Sequence, residues 1–387
     1  MEGAESEFLK ALVSGAIIDG VGAVVSFLPL VMVMYFMIAL LEDCGYMARA
    51  TVVLDPIFKK FGLSGKSVIP FVVGTGCAVP GVMACRTIKN ERERRATAMI
   101  APFMPCGAKL PVISLFVGAF FPGSAWVGTA MYFVGIVIIL LCALLINKIT
   151  GYKKKKSFFI IEMPEYKIPS FLRAFKSMCS RGWSYIVKAG TIILVCNVVI
   201  TMMCSFTPTL QSAAEDGSNS ILAFICRPID WILLPVVGIA SWKLVACAIT
   251  GFIAKENVVG TVATLFGLSA VISGDLELVG EGAQVAEAMQ MVPVAALAYM
   301  MFNLFTPPCF AAIGAMNSEM KSKKWLFGGI ALQLCVGFTV GFLVYQIGSL
   351  LTTGAMAPGF IPGLIAVLVM AGVATYLCLR AEKKPQK

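Results

Sequence analysis

Long apolar runs recur along this chain, and they restrict its fold more than any other feature. A helix that crosses a membrane needs roughly 20 predominantly apolar residues. Seven runs satisfy this requirement: residues 21–41, 97–120, 126–146, 185–206, 231–253, 325–347 and 359–379. The sequence therefore predicts an all-α, polytopic membrane protein with about seven full spans.

The composition agrees with a lipid bilayer as the solvent. Hydrophobic residues make up 59% of the 387 positions and charged residues 13%, a balance that a soluble core of ordinary size cannot hide. The net charge of +10 is concentrated in short loops, such as residues 153–156 and 321–324. This pattern indicates a positive-inside orientation with a cytoplasmic C-terminus and contacts to membrane lipid, and it argues against nucleic acid as a partner.

Two further apolar stretches, residues 68–84 and 292–316, are interrupted by proline and glycine. We expect broken or re-entrant segments there. If residues 68–84 crossed the membrane fully, the basic residues between 49 and 66 would lie outside, against the charge rule. A re-entrant segment removes that conflict, leaves the N-terminus outside and implies a preceding span that this chain does not carry.

The order of features along the chain indicates an internal repeat. In each half a span ends near acidic residues, a breaker-rich segment with a cysteine follows, and a charged run comes next. Glu42, Asp43 and then Cys77 form the first series, and Glu256 and then Cys309 form the second. We therefore expect an N-terminal segment (1–16), a first repeat (17–150), a basic cytoplasmic linker (151–182), a second repeat (183–347) and a last span with a basic tail (348–387).

The breaker clusters are the first candidates for function. Non-helical backbone at membrane depth must line a protein cavity or water, because hydrocarbon offers it no hydrogen-bonding partner. Gly76 and Pro80 flank Cys77, and a pair of prolines precedes Cys309. A single proline or glycine is more often a kink absorbed by helix packing. Clustering around cysteines favours a path for a solute.

A third cluster, residues 102–111, carries three prolines and places Met104, Cys106 and Lys109 beside freed backbone groups. Sulfur donors suit late first-row metals, and carboxylate and carbonyl oxygens add harder ligands. The residue types predict a divalent cation that is held weakly enough to leave. The expected ligands are Cys77, Cys106, Cys309, Asp43, Glu256 and Met104, and the expected gating residues are Glu42, Gly76, Pro80, Lys109, Lys255, Pro307 and Pro308.

Several other readings are disfavoured. Cysteines outside the breaker clusters, such as Cys142 and Cys335, are more simply small apolar fillers, and the 13 cysteines lack the paired spacing of a disulfide framework. Histidine is absent, which removes its metal and acid–base chemistry. Residues 62–67 look like a phosphate loop, but Lys60 stands where its leading glycine belongs. We expect no permanently bound cofactor and no catalysis by this chain.

Several strings, in this order, resemble the membrane part of FeoB-type ferrous iron transporters. Residues 41–50 (LEDCGYMARA), 74–86 with Cys77 and 102–111 with Cys106 are similar to the first gate region of that family. Residues 251–256 (GFIAKE) and 305–315 with Cys309 are similar to the second. Together they extend over most of residues 17–347.

The resemblance implies a multi-pass protein of a bacterial or archaeal cytoplasmic membrane that moves Fe²⁺ inward. Cys77, Cys106 and Cys309 occupy the family's gate cysteine positions. The family normally begins with a cytoplasmic GTP-binding domain, a helical regulatory domain and a first span, none of which is seen in this sequence. A separate GTPase domain, a small accessory Feo protein and further copies of this chain are therefore the expected protein partners.

Two other functions stay open at the level of sequence. The first is a permease or binding protein for an organic solute such as a nucleoside, because related gate regions occur in proteins named for nucleoside recognition. Asn197, Asn257, Asn303 and Asn317 offer it hydrogen-bonding groups. The second is a non-transporting scaffold or regulator.

Overall fold

The computed structural model describes residues 19–124, 126–150, 166–207, 218–268 and 282–382. The described ranges form helices and turns without a β-strand, as the sequence predicts. Predictions about residues 1–16, the basic run 153–156 and the last five residues fall outside the described part of the chain.

The helices follow one another as α1 (Asp19–Asp43), α2 (Tyr46–Lys60), α3 (Val68–Gly76), α4 (Ala78–Ala84), α5 (Glu91–Ile100), α6 (Leu110–Phe120) and α7 (Trp126–Ile149). They continue as α8 (Phe171–Tyr185), α9 (Thr191–Ser205), α10 (Ile221–Cys226), α11 (Leu234–Val237), α12 (Trp242–Ile253) and α13 (Asn257–Leu265). The last are α14 (Gly282–Met289), α15 (Pro293–Phe305), α16 (Phe310–Met320), α17 (Lys323–Thr353) and α18 (Phe360–Glu382).

Five helical segments are long and apolar enough to cross a membrane: Glu91–Phe120, Trp126–Ile149, Pro293–Met320, Lys323–Thr353 and Phe360–Leu379. A sixth is counted if α1 and α2, which meet at 79°, form one bent span. The bend lies at Gly45, whose φ of 79° is a left-handed conformation that glycine adopts without steric cost. The chain is thus a membrane protein by the length and composition of its helices.

Residues 231–253 do not form the single span that the sequence predicts. The 3₁₀ turn Arg227–Ile232 leads into α11, Gly238 follows with φ of 78°, and α12 begins only at Trp242. The left-handed glycine ends the helix. With 12 residues, α12 is about 18 Å long and cannot cross a hydrocarbon core of about 30 Å.

Helices α3 and α4 fold back on each other and form a unit that we call hairpin 1 (residues 68–84). A Cβ atom on Gly81 would come within 2.7 Å of Gly74 Cα and 3.0 Å of the Pro70 carbonyl oxygen. A continuous helix would separate Pro70 and Gly81 by about 16 Å. The predicted break in this segment is therefore present, and it reverses the direction of the chain.

Helices α12 and α13 form a second unit of the same kind, hairpin 2 (residues 242–265). Lys243 Nζ donates to the Leu265 carbonyl oxygen at 2.6 Å across the base of the hairpin. Nearer the tip, the hydroxyl groups of Thr261 and Thr250 are 3.0 Å apart. The sequence did not predict this fold-back, because residues 242–253 are as apolar as a true span.

Each hairpin is followed by a helix that is interrupted in the middle. Broken helix 1 is Glu91–Phe120 and comprises α5 and α6, and broken helix 2 is Pro293–Met320 and comprises α15 and α16. Each repeat thus consists of a hairpin followed by a broken helix. It differs from the predicted alignment, which paired the break in residues 68–84 with that in residues 292–316, because that alignment followed the cysteines and not the reversal of the chain.

The hairpin of each repeat packs against the broken helix of the other repeat. The second arm of hairpin 1, α4, contacts α16 of broken helix 2, and the second arm of hairpin 2, α13, contacts α6 of broken helix 1. Arg86, just after hairpin 1, forms a salt bridge with the buried carboxylate of Glu319 in α16. Arg95 Nε donates to the Met320 carbonyl oxygen at 2.9 Å. The repeats therefore form one body.

The close approach inside hairpin 1 makes Gly81 sensitive to a single methyl group. We expect Gly81→Ala to lower stability by about 1–3 kcal/mol, because the added Cβ meets rigid backbone. Gly260→Ala is the matched control, because a Cβ there meets nothing within 4 Å and alanine favours a helix. Thermal unfolding of both variants in the same detergent measures the difference. Equal melting temperatures would contradict the fold-back.

Candidate functional site

Each hairpin reverses at one extended residue. Cys77 has φ of −149° and ψ of 135°, and Ala254 has nearly the same conformation, with φ of −148° and ψ of 127°. In broken helix 1 the interruption between α5 and α6 contains Met104 and Cys106, both in extended conformations. In broken helix 2 it runs from Thr306 to Cys309. All four interruptions leave backbone groups without helical partners.

Two buried lysines occupy the carbonyl oxygens freed at these interruptions. Lys109 Nζ donates to the carbonyl oxygens of Pro102 at 2.9 Å and Leu304 at 2.6 Å. Lys255 Nζ donates to the Asn303 carbonyl oxygen at 2.8 Å and to Thr306 Oγ1 at 3.2 Å. The two residues are only 2% and 3% exposed. Both ammonium groups thus lie at the C-terminal, negative end of α15.

The lysines connect parts of both repeats. Lys109 belongs to broken helix 1 and Lys255 to hairpin 2, and both reach broken helix 2. The rings of Phe103 and Phe305 pack beside them with centroids 6.4 Å apart. The tip of hairpin 1 contacts broken helix 1 at the same place. A Cβ on Gly107 of broken helix 1 would be 3.1 Å from the Gly76 carbonyl oxygen of hairpin 1. We call this meeting point of the four interruptions the central junction.

Three of the predicted sulfur ligands come together at the central junction. Cys77, Cys106 and Cys309 are electrostatic neighbours of one another, and Glu256 is a neighbour of both Cys77 and Cys309. Cys106 is buried, whereas Cys77, Glu256 and Cys309 keep partial exposure. Cys77, Glu256 and Cys309 are therefore not completely enclosed by the protein.

These groups do not converge into one coordination shell. Across the described ranges, no group of three or more His, Cys, Asp and Glu side chains is close enough to hold a metal ion. In this conformation the three thiols and Glu256 are separate donors around the central junction.

The remaining predicted residues of the breaker clusters also lie at the interruptions. Met104 packs near Gly74, with 4.0 Å between its Cβ and the position of a Cβ on that glycine. A side chain on Gly76 would collide with Met34 of α1. Pro80 lies in the first turn of α4, where a proline needs no amide partner. Pro307 and Pro308 are buried and hold the second interruption open.

Glu42 and Asp43 lie elsewhere. Asp43 Oδ2 accepts a hydrogen bond from the Ser170 amide at 2.8 Å, and its other oxygen is 3.6 Å from Arg173. Glu42 forms a 3.0 Å ion pair with Arg181. Both acids line a cavity of about 420 Å³ between α1 and α8. The structure therefore does not bring Asp43 to the cysteines, as the predicted ligand set required, because α8 supplies it with partners at the end of α1.

Thr306 and Tyr35 of the central junction escaped the sequence analysis, and Asn303 was named there only as a partner for an organic solute. Thr306 and Asn303 accept the Lys255 ammonium group, and Asn303 Oδ1 is buried without a hydrogen-bond partner. Tyr35 of α1 is a buried electrostatic neighbour of Cys77. Thr306 directly precedes two prolines, a local signal for a helix end. Tyr35 has no such signal, because only the packing of α1 places it there.

Apolar helices, paired hairpins and interrupted helices with polar groups at a shared junction define a polytopic membrane protein built from two repeats. The chain matches the family described as Gate: Nucleoside recognition over residues 24–120 and 186–323. These two ranges contain the two repeats. It also matches the family described as Ferrous iron transport protein B C terminus over residues 129–181. No solved structure matches the chain significantly.

The chain is 38% identical over 344 residues to the Fe(2+) transporter FeoB of Staphylococcus aureus (strain COL), covering 89% of this chain and 50% of that protein. It is 35% identical over 353 residues to the Fe(2+) transporter FeoB of Methanocaldococcus jannaschii, covering 89% and 51%. The Helicobacter pylori (strain ATCC 700392 / 26695) protein of that name is 37% identical over 360 residues. The chain belongs to the Gate family and corresponds to the membrane gate part of FeoB-type transporters, and it spans about half the length of the curated relatives it matches.

Partial exposure of Cys77 and Cys309 at a polar junction predicts reaction with a charged, water-soluble thiol reagent. Cys247 is the control, because its side chain is 0% exposed in the apolar core. A thiol is modified only where the reagent can reach it. We expect Cys77 and Cys309 to be modified well before Cys247, as measured by peptide mass spectrometry of protein in detergent. Modification of Cys77 and Cys309 no faster than that of Cys247 would contradict partial exposure of the central junction to water.

Proposed function

We propose that this chain carries ferrous iron inward across a prokaryotic cytoplasmic membrane, through the central junction. The observation that supports this most is the meeting of Cys77, Cys106 and Cys309, which come from three different interruptions. The names of the curated relatives agree with it. Fe²⁺ is the cargo in this proposal, and no resident cofactor is needed.

The donors suit the proposed cargo. Fe²⁺ is a borderline ion that accepts thiolate sulfur together with carboxylate and carbonyl oxygen. Conduction requires several weak sites in series, because one complete shell would retain the ion. Cys106 in broken helix 1, Cys309 in broken helix 2 and Cys77 at the tip of hairpin 1 provide such a series, with Glu256 beside two of them.

Lys109 and Lys255 act as gating residues in this proposal. Their ammonium groups already occupy carbonyl oxygens that a cation would otherwise use, and their charge repels a divalent ion. Iron passes only when the hairpins and broken helices separate enough to move these groups aside. Lys109 bridges the two repeats, whereas Lys255 bridges hairpin 2 and broken helix 2 within the second repeat. Relative motion of the repeats together with motion of hairpin 2 therefore opens the path.

The driving force and the protein partners belong to the proposal as well. Relatives of about twice the length leave room for a GTP-hydrolysing domain, either on the same protein or on a separate chain. A small accessory Feo protein and further copies of this chain are additional proposed partners. Catalysis is not assigned to the present chain, whose C-terminus we place in the cytoplasm.

Simultaneous Cys77→Ser, Cys106→Ser and Cys309→Ser substitution tests the sulfur path. We expect uptake of radiolabelled Fe²⁺ to fall by about tenfold or more, because a barrier raised by 1.4 kcal/mol has that effect. The control is Cys142→Ser, Cys335→Ser and Cys378→Ser, which removes thiols of the outer helices. Uptake is measured in cells, with and without a supplied GTPase domain.

Unchanged uptake in the first triple variant would exclude the thiols as ligands. The alternative cargo is a nucleoside, favoured by the description of the Gate family and by the unpartnered Oδ1 of Asn303. Excess nucleoside in the same assay separates the two. Competition by nucleoside, without effect of the cysteine variants, would replace iron as the cargo.

Lys109→Met and Lys255→Met test the gate. Loss of the ammonium groups lowers the resting electrostatic barrier, so we expect basal Fe²⁺ uptake without the GTPase domain to rise about tenfold, equivalent to 1.4 kcal/mol. Lys59→Met is the control, because Lys59 is exposed and paired only with Asp55 of the same helix. Size-exclusion chromatography confirms folding. Folded variants with wild-type basal uptake would contradict a gating role.

A further inference from the structure

An apolar groove of about 710 Å³ runs between α7, α17 and α18, away from the central junction. Its walls include Ile138 and Cys142 of α7, Leu332 and Val336 of α17, and Val367 of α18. Its volume lies in the range of about 300–1,000 Å³ that is typical of sites for small organic ligands. The residues that the structure describes leave this space unfilled.

Helix α18 is only loosely attached along this groove. In its membrane-crossing window just 6% of the residues are buried by the rest of the chain. Protein interiors are normally packed without large gaps. An apolar gap at membrane depth between three helices is therefore expected to hold an apolar occupant that the described part of the chain does not supply.

One end of the groove is strongly basic. Lys324 and Thr150 line it there, and Lys148 and Lys323 extend from the adjacent ends of α7 and α17. These three lysines are exposed and have no ion-pair partner in the described part of the chain. Trp325 lies at the same end, with Arg95 5.8 Å from its ring centroid. Tryptophan and lysine together are typical of the membrane–water interface.

We propose that this groove binds an anionic phospholipid, with an acyl chain between α7, α17 and α18 and the phosphate at Lys324, Lys323 and Lys148. The polarity of the groove matches such a molecule, since one end is cationic and the body is apolar. A second copy of this chain is a poorer occupant. Two copies share one orientation in the membrane, so a symmetric contact here would bring the same lysines together.

The groove also reaches the helix that leads into the central junction. Met99 of α5 is part of its wall, and the Met99 carbonyl oxygen accepts a hydrogen bond from Gln333 of α17 at 2.9 Å. A Cβ on Gly329 of α17 would lie 3.2 Å from the Met99 side chain. A bound acyl chain therefore packs directly behind broken helix 1. The lipid site does not depend on which solute passes the junction.

The test uses the full chain, purified in detergent and incubated with phosphatidylglycerol or with phosphatidylcholine of the same acyl chains. Native mass spectrometry measures the lipid retained. Gly328→Leu fills the groove without a clash, because Gly328 lines it and a Cβ there meets no atom within 4 Å. Gly372→Leu on α18 is the matched control, because its Cβ is equally free and it does not line the groove.

We expect the wild-type chain and Gly372→Leu to retain phosphatidylglycerol in preference to phosphatidylcholine, and Gly328→Leu to lose both. Lys323→Gln with Lys324→Gln should lower the preference for phosphatidylglycerol by about fivefold for each lysine. Inorganic phosphate should not displace the lipid. Equal retention of the two lipids, wild-type retention by Gly328→Leu, or a dimer that Gly328→Leu dissociates would overturn the proposal.

Discussion

The hydrogen bonds of two lysines at the broken ends of membrane helices are the interaction on which the rest of this structure depends. An unpaired carbonyl in hydrocarbon costs several kcal/mol, so a helix interrupted at membrane depth needs internal partners. Lys109 and Lys255 supply them to broken helix 2, and Lys109 also to broken helix 1. A buried ammonium group is itself costly and becomes tolerable only where carbonyl oxygens surround it. The interrupted helices therefore require the lysine ammonium groups, and the buried lysines require the freed carbonyl oxygens.

The two repeats form one body because several contacts join them. Lys109 of broken helix 1 donates to the Leu304 carbonyl oxygen of broken helix 2. Each hairpin packs against the broken helix of the other repeat, and the Arg86–Glu319 ion pair adds another polar contact. Apolar contacts also cross between the repeats, such as that of Phe103 with Phe305. Movement of one repeat against the other therefore has to rearrange both polar and apolar contacts.

Two kinds of polar group are separated in space. The thiols and Glu256 lie around the central junction, whereas Glu42 and Asp43 pair with arginines of α8 at the end of α1. The apolar groove proposed to bind lipid lies on a third face, behind α5. Acidic, sulfur-bearing and apolar surfaces thus occupy different parts of the molecule.

The sequence by itself determined the all-α membrane class and the position of the three interruptions that contain Cys77, Cys106 and Cys309, because run length and proline or glycine clusters are local signals. It misplaced the span at residues 231–253 and the alignment of the repeats, because an apolar hairpin arm and an apolar span have the same composition. It also grouped Asp43 with the cysteines. Only the tertiary structure decided that α8 supplies the partners of Asp43 and that Tyr35 and Thr306 face the junction. It alone decided that Lys109 and Lys255 bind carbonyl oxygens far away in sequence. Such pairings depend on how the helices pack, and they leave no periodic pattern in the chain.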